Sequence, residues 1–141
     1  MKGYIYLIAP IVGWFLAQSL KFAFTLRKDG INWGDAIQSG GLPSSHAAFM
    51  VSITTVIGIN YSIKSAIFGI SAAITAIILY DAIGVRRATG EQTQAINELA
   101  KHDKKRLQTN IHNAKGHSFI EVMLGSLIGV LVGFGLNYLA K

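Results

Sequence analysis

The chain contains four long stretches without a charged side chain, and these stretches limit what it can fold into. They cover residues 4–20, 47–63, 65–80 and 122–140. The hydrocarbon core of a bilayer is ~30 Å thick, and a helix of about 20 apolar residues crosses it at ~1.5 Å per residue. We therefore predict an all-α fold, a polytopic membrane helix bundle of about four transmembrane helices. The expected spans are roughly residues 4–21, 46–61, 63–83 and 118–140 within a single domain, 1–141.

Two other interpretations of the apolar stretches stay open at this point. A soluble all-α protein would bury the same helices in its core, although only 14% of the residues are charged. The first stretch also resembles a secretory signal, because Ala17-Gln18-Ser19 is similar to a cleavage site. Its basic region is Lys2 alone and its apolar part is long, so we favour a retained first helix. The absence of cysteine excludes disulfide and thiol chemistry.

Basic residues are divided unequally between the two sides that four spans define. The second and fourth aqueous segments hold ten of the 13 Lys and Arg residues, and the other segments hold three. Cytoplasmic loops carry the excess of Lys and Arg, so we expect this side to be cytoplasmic in a bacterial-type cell membrane. The net charge of +6 is thus a topology signal, and no nucleic-acid partner is expected. The ten are Lys21, Arg27, Lys28, Arg86, Arg87, Lys101, Lys104, Lys105, Arg106 and Lys115.

The two polar segments on the basic side differ in what they predict. Residues 21–45 are expected to form a loop, because Asp29-Gly30 and Gly40-Gly41 are turn signals. Residues 86–116 have two interpretations, a mobile charged loop or an amphipathic helix on the membrane surface. The helix would place four apolar side chains on one face, those of Ala95, Ile96, Leu99 and Leu107.

The last apolar stretch carries a regular row of glycines. Gly125, Gly129 and Gly133 recur every four residues, so they share one face of a helix. Small residues at this spacing let two membrane helices approach closely. We expect this row to have a structural role.

The segment Pro43-Ser44-Ser45-His46 precedes the second apolar stretch and has two readings. Ser44 or Ser45 is a suitable N-cap for a helix that runs from His46. A helix start also presents backbone N–H groups and a partial positive charge, which makes it an anion site. Both the cap with a bystander histidine and the anion site fit this segment alone.

Further ionisable residues stand at the ends of the other expected spans. His117 and Glu121 are four residues apart on one helix face, where a carboxylate fixes the tautomer of an imidazole and raises its basicity. A hydrogen-bonded pair at a helix start and half of a metal site are the alternatives. Asp81 lies near membrane depth, where ionisable groups are costly, and either an ion pair or a functional role suits it and the following arginines.

Alternation of the spans places these residues on one side of the membrane. Six side chains from four spans share this face, namely Lys21, His46, Arg86, Arg87, His117 and Glu121. Two histidines, three cations and a helix N-terminus converging on one pocket describe a phosphate site and give the bundle a polar active-site face. One imidazole would attack phosphorus while the other protonates the leaving oxygen, and the cations would spread the developing charge.

Three blocks of sequence carry a resemblance to a known family. The blocks "GGLPSSHAAFM", "DAIGVRRATGEQTQAINEL" and "GHSFIEVMLGSLIGVLVG" resemble the divergent branch of the type 2 phosphatidic acid phosphatase family. These are membrane proteins related to acid phosphatases and vanadium-dependent haloperoxidases. The likeness covers nearly the whole chain.

The resemblance implies a role for each site residue. His46 would be the general acid, His117 the nucleophile, and Glu121 stands where the family has Asp. Substrate phosphate would be bound by Lys21 with Arg27 or Lys28, by Ser44 and Ser45, and by Arg86 or Arg87, with Asp81 in support. Ser45 replaces the glycine of the family motif, and about 30 residues separate Arg87 from His117, more than is usual.

The expected function is a membrane phosphatase that acts on a lipid phosphate or diphosphate monoester through a phosphohistidine. A cytoplasmic site favours a phosphatidylglycerophosphate- or phosphatidate-like substrate, and no cofactor or metal is expected. Undecaprenyl diphosphate phosphatase is one alternative, and it requires the opposite topology. A non-catalytic transporter or lipid-head-group binder is another. Four spans, where the wider superfamily usually has six helices, are consistent with a homo-oligomer.

Overall fold

The structure, a computed structural model, describes residues 3–29, 41–102 and 116–140. Within these residues the chain is helical and contains no β-strand, which confirms the predicted all-α class. The described residues form five helices. They are α1 (Ile5–Asp29), α2 (Ser45–Tyr61), α3 (Ala66–Ile83), α4 (Val85–His102) and α5 (Phe119–Leu139).

Three helical stretches of the described residues are long and apolar enough to cross a membrane. They are Ile5–Phe24 in α1, Ala66–Leu99, which begins with α3 and continues into α4, and Phe119–Leu139, which is α5. The fourth expected span, α2, has 17 residues and is therefore about 25 Å long. Since this is less than the ~30 Å of the hydrocarbon core, an end of α2 lies below the membrane surface.

Helix α2 is the centre of the bundle and packs against α1, α3 and α5. Its buried face is made of small side chains, among them Ala47, Ala48 and Ser52. A Cβ atom on Gly129 of α5 would lie 2.8 Å from the Ala48 carbonyl oxygen, closer than real Cβ contacts. Gly133 meets Thr55 of α2 in the same way. The glycine row of the last span is therefore a helix-packing face, as the sequence predicts.

Polar side chains add hydrogen bonds between the helices. The Thr54 hydroxyl of α2 lies 2.6 Å from the Ser71 hydroxyl and 2.8 Å from the Thr75 hydroxyl, both on α3. The Asn60 amide nitrogen of α2 donates to the Asn137 side-chain oxygen of α5 at 2.9 Å. Helices surrounded by lipid gain little from apolar contact with each other, so such bonds and close packing hold the bundle together.

Helix α1 is longer than the sequence predicts. Residues 21–29 are helical rather than part of a loop, so the loop prediction is wrong for this stretch. The charges of Lys21, Arg27 and Lys28 end the apolar stretch, but Lys and Arg are good helix formers and no Gly or Pro occurs between Lys21 and Gly30. Lys21 thus lies inside a helix and is buried, with 7% of its surface exposed.

Helix α4 decides between the two interpretations of residues 86–116 over part of that segment. The chain is helical from Val85 to His102, so the mobile-loop alternative is wrong there, and Leu107 lies outside the described residues. Only Gly84 separates α4 from α3, and its N–H donates to the Tyr80 carbonyl at 2.8 Å. This short connection holds the arginines at the start of α4 beside the end of α3.

Candidate active site

The start of α2 is fixed against the start of α5 by backbone contacts. The Ser44 N–H donates to the Glu121 carbonyl at 3.0 Å. Gly125 lies so close to Ser44 that a Cβ atom at position 125 would collide with the Ser44 carbonyl. The two sequence blocks that contain His46 and His117 therefore meet at one end of the bundle.

Ser44 is the N-cap of α2, as one reading of the sequence predicts. Its hydroxyl accepts from the Ala47 N–H at 3.4 Å, and the residue is fully buried. Ser45 is the first residue of α2 and is also buried. Capping is thus the observed role of Ser44, and phosphate binding by either serine stays a prediction.

His117 makes two hydrogen bonds at the junction of α3 and α5. Its N–H donates to the Ala82 carbonyl of α3 at 3.0 Å. Its ring Nδ1 lies 3.0 Å from Glu121 Oε2. The same oxygen accepts from the Ser118 N–H at 3.2 Å, and the Ser118 hydroxyl accepts from the Glu121 N–H at 3.3 Å. Glu121 therefore closes a capping box and orients His117 at the same time.

The contact with Glu121 determines which ring nitrogen of His117 is available for chemistry. A carboxylate only accepts hydrogen bonds, so the neutral imidazole carries its proton on Nδ1. The lone pair is then on Nε2, the nitrogen directed away from the carboxylate. His117 is buried, with 5% of its surface exposed, and its tautomer is fixed. This arrangement suits a nucleophile or a base.

The second histidine lies close to the first. The ring centroids of His46 and His117 are 6.4 Å apart, and the rings are tilted by 60°. This is too far for direct stacking, but one phosphoryl group with N···O distances of about 2.8 Å on either side can contact both rings. The His46 side chain is exposed, so it is open to a ligand.

Two of the cations expected from the sequence, Lys21 and Arg86, lie within electrostatic reach of His46. Lys21, Arg86 and His117 all exert an electrostatic effect on His46, and Asp81 opposes it. Glu121 acts in turn on Lys21. Gly41 packs against the Lys21 side chain, since a Cβ there would lie 3.2 Å from Lys21 Cε. Arg27 and Lys28 lie in α1, and their side chains fall outside the described part of the structure.

Each of the two arginines is held through Nε by a carboxylate. Arg86 Nε donates to Asp81 Oδ2 at 2.6 Å, which confirms an ion pair at Asp81. Arg87 Nε donates to Glu91 Oε1 at 3.0 Å on the same face of α4. A guanidinium has five N–H donors, so these pairs leave the terminal nitrogens available for an anion.

A pocket of about 300 Å³ connects α4 with the start of α5. One wall carries His117 and Glu121, and Arg87 belongs to the other. Gly116 fixes the distance between the walls, because a Cβ at this position would collide with the Arg87 backbone. The pocket is lined by Arg87, Gly90, Glu91, Gln94, Gly116, His117, Ser118 and Glu121.

Sequence reasoning missed the contribution of Gly90, Glu91 and Gln94 of α4 and of Gly116 to this pocket. The spacing of Arg87 and Glu91 by four residues was a signal for an ion pair on one helix face. The contact of Gly116 with Arg87 had no local signal, because it joins residues far apart in the chain. Among the described residues, no three His, Asp or Glu side chains are grouped to hold a metal ion. The prediction of a metal-free site stays untested.

Comparison with known proteins places these motifs in a family. Residues 4–132 match the family described as Divergent PAP2. The chain belongs to the Divergent PAP2 family. It is also 33% identical over 122 residues to the uncharacterized membrane protein YuiD of Bacillus subtilis (strain 168), with 77% of each chain covered. No solved structure matches the chain.

Family membership agrees with the character of the bundle surface. Large apolar side chains are exposed along α1, α3 and α5, for example Phe15, Ile70 and Leu131 at about two-thirds of their surface. Such surfaces are stable only against lipid or another protein. The chain is therefore a helical membrane protein of the Divergent PAP2 family, related to phosphatases.

Proposed function

We propose that this protein is a membrane phosphatase that hydrolyses a lipid phosphate monoester through a phosphohistidine at His117. The observation that carries the proposal is the pairing of His117 Nδ1 with Glu121 Oε2 at 3.0 Å, with the His46 ring 6.4 Å away. An oriented nucleophile and a second imidazole beside it are the two groups that a phosphohistidine mechanism requires.

The first step is the attack of His117 Nε2 on phosphorus. The N–P bond forms as the bond from phosphorus to the lipid oxygen breaks, and protonated His46 gives its proton to that oxygen. The carboxylate of Glu121 stabilises the positive charge that develops on the His117 ring. The dephosphorylated lipid leaves, and the phosphoryl group stays on His117.

The second step returns the enzyme to its starting state. A water molecule attacks the phosphorus while His46, now neutral, accepts a proton from it. The P–N bond breaks, inorganic phosphate leaves, and His117 recovers its lone pair on Nε2. His46 thus changes from acid to base between the two steps and ends protonated.

Cations on two helices, α1 and α4, supply the charge stabilisation of the transition state. Arg87 lies in the pocket with His117, while Arg86 and Lys21 act electrostatically on His46. A phosphoryl group in transfer spreads negative charge over its oxygens, and fixed guanidinium groups stabilise that charge best where water is scarce. The carboxylates of Asp81 and Glu91 hold the arginines without using their terminal nitrogens.

A substrate in the inner leaflet follows from the charge distribution. The ten basic residues of the second and fourth aqueous segments favour a cytoplasmic position for this end of the bundle. A phosphatidate- or phosphatidylglycerophosphate-like lipid then presents its phosphate to the pocket. An undecaprenyl diphosphate on the outer face would need the reverse orientation.

Phosphate release by purified protein tests the proposal. The protein in detergent is offered phosphatidate, phosphatidylglycerophosphate and undecaprenyl diphosphate, and His117→Gln is compared with the exposed control Gln92→Ala. We expect release from an inner-leaflet lipid, its loss in His117→Gln and no change in the control. Equal release by His117→Gln contradicts the mechanism. No release by the unaltered protein contradicts the enzyme, and phosphatidate binding that needs Arg87 would then favour a head-group binder.

A further inference from the structure

A second cavity lies between α1 and α5 and opens from the same end of the bundle. Its volume is about 480 Å³, and its walls are mostly apolar. Leu20 and Phe24 of α1 form one side, and Leu124, Leu127 and Leu131 of α5 form the other. We call this cavity the α1/α5 groove. Its leucines are between 39% and 63% exposed, so the groove is open towards the bilayer.

The polar end of the α1/α5 groove lies next to the pocket between α4 and the start of α5. Glu121 lines both cavities, with His117 on the pocket side. Lys21 stands at the same end of the groove and lies within electrostatic reach of Glu121. The two cavities are therefore adjacent at Glu121, with charged groups at that position and leucines along the membrane side of the groove.

The length of the groove matches one leaflet. From Glu121 to Leu131 the lining of α5 covers ten residues, or about 15 Å of helix. This is half of the ~30 Å hydrocarbon thickness, so the groove extends from the active-site end to near the bilayer midplane. A lipid of that leaflet has its head group at the first depth and the end of its hydrocarbon chain near the second.

We propose that the α1/α5 groove holds one hydrocarbon chain of the substrate, so that the lipid enters sideways from the leaflet next to the site. This inference rests on the proposed phosphatase function and adds the place and direction of substrate entry. The charge of Lys21 at the polar end complements an anionic head group.

The groove acts by shape rather than by removing the chain from water. A chain that moves from the bilayer into the groove exchanges one apolar environment for another, so it gains little hydrophobic free energy. Its contribution is to align the phosphorus with His117, and a misplacement of about 1 Å costs up to ~100-fold in rate. Blocking the groove therefore lowers turnover of long-chain substrates and spares substrates that have no chain.

A tryptophan placed in the groove tests this selectivity. Leu127→Trp fills the groove and Leu127→Ala widens it, while Ile77→Trp adds the same bulk to the exposed face of α3. The substrates are dioleoyl phosphatidate, dioctanoyl phosphatidate and glycerol 3-phosphate. We expect Leu127→Trp to lower kcat/KM for the dioleoyl lipid by about tenfold or more and for glycerol 3-phosphate by less than about twofold. Ile77→Trp should change neither value.

The opposite results overturn the groove assignment. Unchanged turnover of the dioleoyl lipid in Leu127→Trp shows that no hydrocarbon chain of the substrate lies in the groove. An equal loss on all three substrates in both Leu127 variants shows a packing surface, for another part of this chain or for a second copy. In either case the loss of activity in His117→Gln still stands, so the phosphatase proposal survives.

Photo-crosslinking gives a readout that does not need turnover. A phosphatidate with a diazirine in its acyl chain is incorporated into vesicles with the protein and irradiated. We expect adducts on residues 124–131 that excess phosphatidate removes and phosphatidylcholine does not. Adducts spread equally over α3 and α5 contradict the groove. Groove adducts in a protein that releases no phosphate would contradict the phosphatase proposal, but they would support the groove as a binding site for a lipid hydrocarbon chain.

Discussion

Replacing Glu121 by glutamine separates the two roles of this side chain. Glu121 Oε2 accepts from His117 Nδ1 at 3.0 Å and from the Ser118 N–H at 3.2 Å. Glutamine also serves in a capping box, so the bond to the Ser118 N–H and the helix start are preserved. The bond to His117 keeps its geometry but loses its charge, because the amide oxygen that accepts from the Ser118 N–H also accepts from Nδ1. The positive charge that develops on the His117 ring during attack is then no longer stabilised by a carboxylate, so the phosphohistidine forms more slowly.

The size of the effect follows from these bonds. An amide in place of the carboxylate that orients a catalytic histidine lowers kcat by up to ~10⁴ in serine proteases. We expect Glu121→Gln to lower kcat by about 100- to 10,000-fold, which corresponds to about 3 to 5 kcal/mol of activation free energy. The free energy of unfolding should change by less than about 1 kcal/mol, since one neutral bond replaces one charged bond at a helix end.

The assay is phosphate release with thermal unfolding measured on the same preparations. Ser65→Ala is the matched control. Ser65 is the N-cap of α3, at the end of α3 opposite to Asp81, and its hydroxyl accepts from the Phe68 N–H at 3.3 Å. We expect this cap loss to cost about 1 kcal/mol of stability and no activity. A Glu121→Gln protein that keeps its activity within about threefold and is destabilised instead would show that Glu121 only caps the helix, and the reasoning on the carboxylate charge would be wrong.

Four other predictions concern single residues or the whole chain. His46→Ala should slow the first step, measured as release of the dephosphorylated alcohol in a single turnover, by about 100-fold or more for phosphatidate and far less for p-nitrophenyl phosphate, because p-nitrophenolate leaves without a proton; equal slowing of this step for both substrates contradicts a general acid. Gly129→Ala should lower the melting temperature, since its Cβ meets the Ala48 carbonyl at 2.8 Å, whereas Gly135→Ala, which meets nothing within 4 Å, should not. Equal effects of these two alanines refute the packing role. Gly116→Ala should abolish activity through the collision with Arg87, and full activity contradicts the pocket geometry. Reporters fused to the termini should give signals only outside the cytoplasm, and a cytoplasmic signal from either end reverses the orientation.

The sequence predicted which residues meet because span counting is a strong constraint. Alternation of four apolar stretches placed His46 and His117 on one side, and the structure brings their rings to 6.4 Å. The glycine spacing in the last span predicted a packing face, and Gly129 lies against Ala48 of α2. The first inference uses the alternation of spans across the membrane, and the second uses the helical repeat. Neither needs knowledge of the tertiary contacts.

Other features were beyond the reach of the sequence. The apolar stretch ends at Lys21, but helix propensity continues to Asp29, so hydropathy misplaced the end of α1 and the burial of Lys21. The contact of Gly116 with Arg87 depends on how the chain returns from α4, which no local pattern encodes. The α1/α5 groove also has no signal, because leucines in a span predict lipid contact wherever they face.

The most direct test of the central claim is to look for phosphate on His117 during turnover. Purified protein is mixed with phosphatidate labelled in its phosphate, denatured in alkali within one turnover and digested for mass spectrometry. We predict an acid-labile phosphoryl group on the peptide that contains His117, at a level that falls when the substrate is exhausted. Steady phosphate release with no phosphoryl group on His117 would contradict the phosphohistidine mechanism.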